Sequence, residues 1–552
     1  MKNYIPVIIA IALYFHSPVL MAQQFTELAS LKGIAQGSIT TGDYNNDGEL
    51  DILLCGWSDP EQATVLYLNN GDNTFTDTGI PLLGLYNSSA SWGDCDNDGD
   101  PDLLITGTTG FTLDAETKLY RNDGGSFSEI SSGLPGIYRS CVSWGDIDRD
   151  GDLDILMTGM ATTAERVSRI YQNDGTGIFT LMQGTSFIPV FKGWCSLADF
   201  DNDGYLDVIV SGETATLAKA AKLYHNNRDG SFSEVTGTSL TGIGFCGAAL
   251  SDFNSDGFLD LIMSGEDSNY NNVTKVYFND KTGNLIEQSN ITIGTVYNAT
   301  MSTGDYDNDG DIDLFMSGKR GNTVISEMYA NNGSGILSKN SDISITGTNE
   351  SSSGFSDLDS DGDLDLIVAG IDNTNNLITK IYKNNNSTAN TKPGKPINLT
   401  YSINKTTAKF TWNKVTGDLT PSASLSYNLK VGTTATTNEI VSSQSDNSGK
   451  RKVVRVGNAQ LNNFLELKNL RWNTNYYASV QAIDNNFEGG SFSDPVNFTI
   501  TPKQPTKLVG YNTGNSSIQL RWQRGNGDRC ILFAKEGTSG PAAPVNNTTY
   551  FA

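Results

Sequence analysis

The chain has 552 residues, 62 of them Asp or Glu against 37 Lys or Arg, for a formal net charge of −25. That length excludes one ordinary core and predicts two or more domains, and that charge excludes a nucleic-acid surface. The acidity has an address: 26 Asp residues fall at fixed places in repeated loops, and outside those loops acidic and basic residues nearly balance.

Residues 1–22 read as a signal peptide. Lys2 supplies the positive start, Ile5 to Phe15 the apolar run and Ala22 the last residue before cleavage. The run is too short to cross a hydrocarbon core of about 30 Å, and no other segment approaches membrane-spanning length. A secreted or cell-surface protein is expected.

Residues 23–389 contain one motif seven times, typified by GDIDRDGDLDILMTG at 145–159. The copies begin at Asp43, Asp94, Asp146, Asp199, Asp252, Asp305 and Asp357, a spacing of 51 to 53 residues that marks a structural repeat. Positions one, three, five and nine are Asp43, Asn45, Asp47 and Asp51 in the first copy and Asp94, Asp96, Asp98 and Asp102 in the second. The third has Asp146, Asp148, Asp150 and Asp154, and the fourth Asp199, Asp201, Asp203 and Asp207. The fifth has Asp252, Asn254, Asp256 and Asp260, the sixth Asp305, Asp307, Asp309 and Asp313, and the seventh Asp357, Asp359, Asp361 and Asp365. Position six is always Gly.

A hard cation needs six to eight oxygen ligands at about 2.3–2.6 Å, and alternate short acidic side chains around a Gly turn can supply them. One such loop is often a plain Asx turn, but seven in register, with the ninth-position Asp never missing, point to up to seven calcium ions, one per repeat. Position seven varies (Glu49, Asp100, Asp152, Tyr205, Phe258, Asp311, Asp363), so it can contribute only its backbone carbonyl. Asn45 and Asn254 should weaken the first and fifth sites. An EF-hand is excluded because position twelve is apolar in every copy.

Around each loop the pattern is all-β. A short strand precedes it, a near-continuous apolar strand follows, and a third strand carries a Tyr at fixed phase (Tyr67, Tyr120, Tyr171, Tyr224, Tyr277, Tyr329, Tyr382). A fourth begins near Phe75, Phe127, Phe179, Phe232, Leu285 and Leu337 but is missing after Tyr382, whereas FTEL at Phe25 matches it. Four strands in each of seven repeats predict a seven-bladed β-propeller, closed by pairing the N-terminal strand into the last blade.

These repeats, DxDxDGxxD with an apolar strand and Gly after it, resemble FG-GAP and VCBS repeats such as those of the integrin α-chain propeller, over residues 25 to about 387. The FG-GAP peptide itself is absent; SWGD stands in its place at 91–94 and 143–146, which fits the VCBS-like branch better. The resemblance implies calcium between the first two strands of each blade, on the face opposite the one that usually binds ligands.

Residues 390–396 hold a Pro and Gly linker. Residues 397–501 resemble a fibronectin type III domain, with Trp412 and Tyr427 as core aromatics and Tyr476 as the tyrosine corner; Trp472 departs from the family pattern. Residues 502–552, with Trp522, resemble the first half of a second sandwich of the kind found in large secreted proteins of the Bacteroidetes, and the sequence is expected to be truncated there.

No catalytic constellation emerges. His16 falls in the signal peptide, His225 sits at a variable position, and nucleophile-elbow, zincin and nucleotide-binding patterns are absent. The six cysteines lack the spacing of a disulfide scaffold and are expected to be free thiols, with Cys141, Cys195 and Cys246 near the hub. The expected function is a non-catalytic adhesion or recognition protein that presents loops to an extracellular protein or carbohydrate ligand, with the sandwiches as spacers. The alternative is a polysaccharide lyase or hydrolase on a propeller scaffold.

Overall fold

The structure is a computed structural model that describes residues 24–110, 114–502, 506–514 and 517–523. The signal-peptide reading and most of the second sandwich lie outside these residues; of the latter, Thr506–Gly514 and Ser517–Gln523 pair antiparallel.

Each repeat folds as one antiparallel four-stranded sheet. In the first blade the order is Ala35–Gly42, Asp51–Trp57, Gln62–Asn69 and Phe75–Asp77, innermost to outermost. The strand after each loop is buried along its length, as Asp102–Thr108 illustrates, because sheets pack on both of its faces. Hydrophobic cores therefore lie between neighbouring blades: Leu104 and Leu119 of the second pack with Ile137, Trp144, Ile155 and Met157 of the third.

The seven inner strands contact one another around a closed ring. Ile39 of blade one packs with Ile367 and Ala369 of blade seven, and the Thr41 and Ser356 hydroxyls lie 2.6 Å apart across the same seam. Blade seven is assembled from both ends of the domain. Phe25–Leu31 pairs antiparallel with Leu377–Asn384 as its outermost strand, and Phe25 is fully buried beside Tyr306 and Phe315.

After the ring, two three-stranded sheets form a sandwich: Thr400–Asn404, Thr407–Thr411 and Phe464–Leu467 face Ser426–Gly432, Asn475–Ile483 and Val496–Thr499. Trp412, Tyr427, Phe410 and Phe498 fill its core, and Tyr476 Oη accepts from the Arg471 N–H at 2.9 Å, the expected corner.

The sandwich does not stand off as a spacer. It is seated over the hub on the loop face and touches every blade. The Asp43 N–H donates to the Lys452 carbonyl at 2.9 Å, the Ser442 N–H to Asn97 Oδ1 at 3.1 Å and the Lys468 N–H to the Arg149 carbonyl at 2.6 Å. Asn462 Nδ2 donates to Asp199 Oδ2 at 2.7 Å, Ser424 Oγ to Asp252 Oδ2 at 2.8 Å and Asn486 Nδ2 to the Asp305 carbonyl at 3.0 Å. Lys450 Nζ reaches Ser360 Oγ at 3.2 Å in the seventh blade. Apolar contact accompanies these bonds, since Val453 packs with Trp92 and Tyr44, and Leu461 with Phe200. Much of this surface comes from residues 433–463, a long excursion between two sandwich strands.

Candidate metal centres

All seven loops share one internal geometry. The first Asp accepts two backbone N–H groups, from positions five and six; for Asp305 the donors are Asp309 at 3.1 Å and Gly310 at 2.8 Å. The fifth accepts the N–H of position seven, as Asp309 does from Asp311 at 3.0 Å. The ninth is buried and in six loops accepts two more, as Asp313 takes the Tyr306 N–H at 3.1 Å and the Asn331 N–H at 2.8 Å; in the fifth, Asp260 takes the Asn279 N–H at 2.8 Å and its Oδ2 has no partner. The sixth-position Gly adopts φ between 88° and 103°, a conformation that a Cβ would strain.

These bonds leave lone pairs pointing at one another. In blades two, three and six, oxygens of positions one, three and nine (Asp94, Asp96, Asp102; Asp146, Asp148, Asp154; Asp305, Asp307, Asp313) lie within 4.8 Å of one another. Position three is the least satisfied: Asp96, Asp148, Asp307 and Asp359 each keep a buried Oδ1 without a hydrogen-bond partner. An acceptor-only oxygen buried without a donor is costly, and a cluster of them is the donor chemistry of a hard cation. Burial raises the ninth-position carboxyls, to about 8 for Asp51, Asp260 and Asp365 and about 7 for Asp102, with neighbouring carboxylates adding to the effect.

Protein cations reach ligand carboxylates in blades two, four, five and seven; in the fifth, Lys281 Nζ lies 3.5 Å from Asp256 Oδ2. Lys383 Nζ contacts Asp359 and lies 2.9 Å from Asp361 Oδ2 in blade seven. His225 Nδ1 lies 3.4 Å from Asp201 and 3.2 Å from Asp207, and its bond to Asp207 raises it to about 9. His225 is thus a half-buried partner of the fourth loop rather than a surface variable. The residue after the fixed Tyr reaches position three in the second blade as well, through Arg121 to Asp96 at 3.9 Å.

Position seven does other work. Asn46 Nδ2 donates to Asp100 Oδ1 at 2.7 Å, Asn97 to Asp152 at 2.8 Å and Asn308 to Asp363 at 2.7 Å, so each acidic side chain ties its loop to the preceding one. A second set of links was hidden in the Asn-rich turns. Asn69, Asn122, Asn173, Asn226, Asn279, Asn331 and Asn384, each two residues after the fixed Tyr, donate from Nδ2 to a loop carbonyl of the preceding blade. Their constant phase was the signal that sequence reasoning passed over.

The opposite end of the hub carries a different ring. Every inner strand has a register shift near its start, and there a non-glycine residue adopts φ between 46° and 51°: Gln36, Asn87, Arg139, Lys192, Phe245, Asn298 and Glu350. Each stands seven residues before its first loop Asp, at the other end of the strand. Together they line a cup of about 260 Å³ at the free mouth of the channel. Left-handed backbone in seven bulky or polar residues costs of order 1 kcal/mol or more each, and such positions cluster at binding sites.

Repeated acidic-loop blades in a ring, with a sandwich on the loop face, define a propeller of the extracellular repeat type. The FG-GAP-like repeat matches residues 43–105, 199–263, 252–316 and 305–368, and the fibronectin type III domain matches 392–499, so the chain carries four FG-GAP-like repeats and a fibronectin type III domain. It is similar to cartilage acidic protein 1 of Xenopus tropicalis, 28% identical over 208 residues that make up 34% of this chain and 29% of the relative, so it spans under a third of that protein. Among solved structures, AofleA from Arthrobotrys oligospora aligns at TM-score 0.35 and 11% identity, over 56% of this chain and 86% of that one. A tetra-tandem repeat from a large adhesion protein aligns at TM-score 0.13 and 12% identity, over 74% and 98%. Both superpositions are loose and neither bears on function.

Proposed function

We propose that this is a secreted or cell-surface recognition protein whose propeller is held rigid by calcium and whose free face meets an extracellular protein or carbohydrate ligand. The observation that carries the metal reading is the unpartnered buried oxygen at position three in four loops, set among carboxylates that already accept backbone donors. The ions would be held by positions one, three, five and nine, with the position-seven carbonyl. Blades three and six have the full acidic set and no cation paired with a ligand carboxylate, so they would fill first. Lys383 and His225 would compete with the ion in blades seven and four.

In this reading calcium neutralises the carboxylates where the inner strand turns into the second, and it stiffens the surface on which the sandwich rests. The extracellular setting is supported by the domain types, both usual in adhesion proteins. Calorimetric titration of calcium into chelator-treated protein, followed by glycan and extracellular-protein arrays, tests the proposal. Absence of calcium uptake refutes the metal half; sugar release from a polysaccharide would replace recognition with catalysis.

A further inference from the structure

We propose that the cup at the free mouth of the channel binds the terminal uronic-acid residue of a glycan chain, its carboxylate held by Arg139 and Lys192. The inference rests on the recognition reading above and names the ligand class for that face.

The charge distribution is the first argument. In a chain of net charge −25 the acidic loops lie at one end of the hub, and two cations on adjacent blades line the cup at the other. Neither is closely paired. Lys219 Nζ occupies Glu213 at 2.6 Å and also lies 3.4 Å from Glu266, so the Lys192 ammonium keeps only a loose 3.9 Å approach to Glu213. Arg139 is exposed and has no ion pair or hydrogen bond among the described residues. Two like charges held side by side on strained backbone are what a carboxylate site needs before its ligand arrives.

The rest of the wall distinguishes a sugar acid from a simple carboxylate. Phe245 supplies an apolar ring next to Lys192, whose ammonium lies 4.6 Å from the ring centre. Asn87 and Asn298 offer amides that both donate and accept, and Glu350, held by Gln36 Nε2 at 2.6 Å, offers an acceptor that a purely anionic ligand would avoid. Cations for a carboxylate, acceptors for hydroxyls and a ring for a C–H face together match a hydroxylated acid. An acidic peptide side chain would leave the amides and Glu350 unused. The cup lies on the ring axis and the sandwich covers the opposite mouth, so a glycan enters from one side and cannot thread the channel.

The test uses the whole chain in calcium buffer with three probes: a uronic-acid oligosaccharide, the same oligosaccharide with its carboxyls reduced to neutral alcohols, and a Glu-rich peptide. Saturable binding of the first is expected. It should weaken about tenfold or more on carboxyl reduction, and likewise in Arg139→Asn and Lys192→Asn, because each change removes a charge-assisted bond. Asn tolerates the left-handed backbone, so both variants should keep the parent melting temperature, as should the control Lys222→Asn on the third strand of its blade, which should also bind normally. Equal binding of the reduced oligosaccharide, binding of the peptide alone, or full binding by both variants overturns the assignment. If arrays then find another ligand, the recognition reading survives; if no array ligand binds while calcium is taken up, that reading falls as well.

Discussion

Stripping divalent cations should destabilise the ring, and by more at pH 8 than at pH 6. Two like charges within 4.8 Å repel by roughly 3.5 kcal/mol or more at an effective dielectric of 20. A folded protein without the ion relieves that repulsion by taking up protons. The ninth-position carboxyls follow this course: burial lifts Asp51, Asp260 and Asp365 from 3.8 to about 8. Since the folded value lies above the unfolded one, folding binds protons, and stability of the metal-free form falls as pH rises from about 4 to about 8. In the proposed calcium-bound form the ions would replace those protons and remove the fall.

At free calcium about ten times Kd, each filled site contributes ~1.4 kcal/mol, so three to seven sites give roughly 4–10 kcal/mol. With about 2.1 cal/mol/K per residue over a ring of roughly 365 residues, that is a shift of about 5–13 °C. Thermal melts in EGTA and in calcium, each at pH 6, 7 and 8, read it directly, with magnesium as the control for charge alone. The reasoning fails if EGTA leaves the melting temperature unchanged at pH 8, or if the stripped protein is more stable at pH 8 than at pH 6.

Asp307→Ala should abolish one calcium site, counted by calorimetry, and leave the calcium-free melting temperature nearly unchanged, because its buried oxygen has no partner to lose. Asp313→Ala should cost about 2–4 kcal/mol even without calcium, since it strands the Tyr306 and Asn331 N–H groups in the interior. Asn331→Ala should cost a similar 2–4 kcal/mol in denaturant melts by orphaning the Phe253 and Ile312 carbonyls, whereas the exposed Asn332→Ala should stay within about 0.5 kcal/mol. Deleting residues 25–31 should open blade seven and lower the melting temperature sharply; a folded, equally stable product would refute closure by that strand.

The ring was legible because it repeats. A ligand position that recurs seven times at one phase stands out from a single sequence, and the absence of a fourth strand after Tyr382 beside an unclaimed FTEL located the seam. The docking of the sandwich was not legible. Its contacts pair single polar residues hundreds of positions apart, such as Asn462 with Asp199, on segments without periodicity. The axial cup escaped notice for the opposite reason. Gln36, Asn87, Arg139, Lys192, Phe245, Asn298 and Glu350 share a phase but not a chemistry, and only the common left-handed backbone exposes them as one set. His225 was misjudged as a surface variable because its alignment partners, Leu68 and Phe278 among them, carry no charge, while Arg121 and Lys383 at the same place do.

The seating of the sandwich has a mechanical consequence. A tug on that domain does not peel one attachment after another; it is divided among seven anchor points, one beneath each blade, that must yield together. Loads shared in parallel fail at far higher force than loads borne in series. If the ions stiffen those same anchors, the grip between the two parts tightens or slackens with the salt of the surroundings.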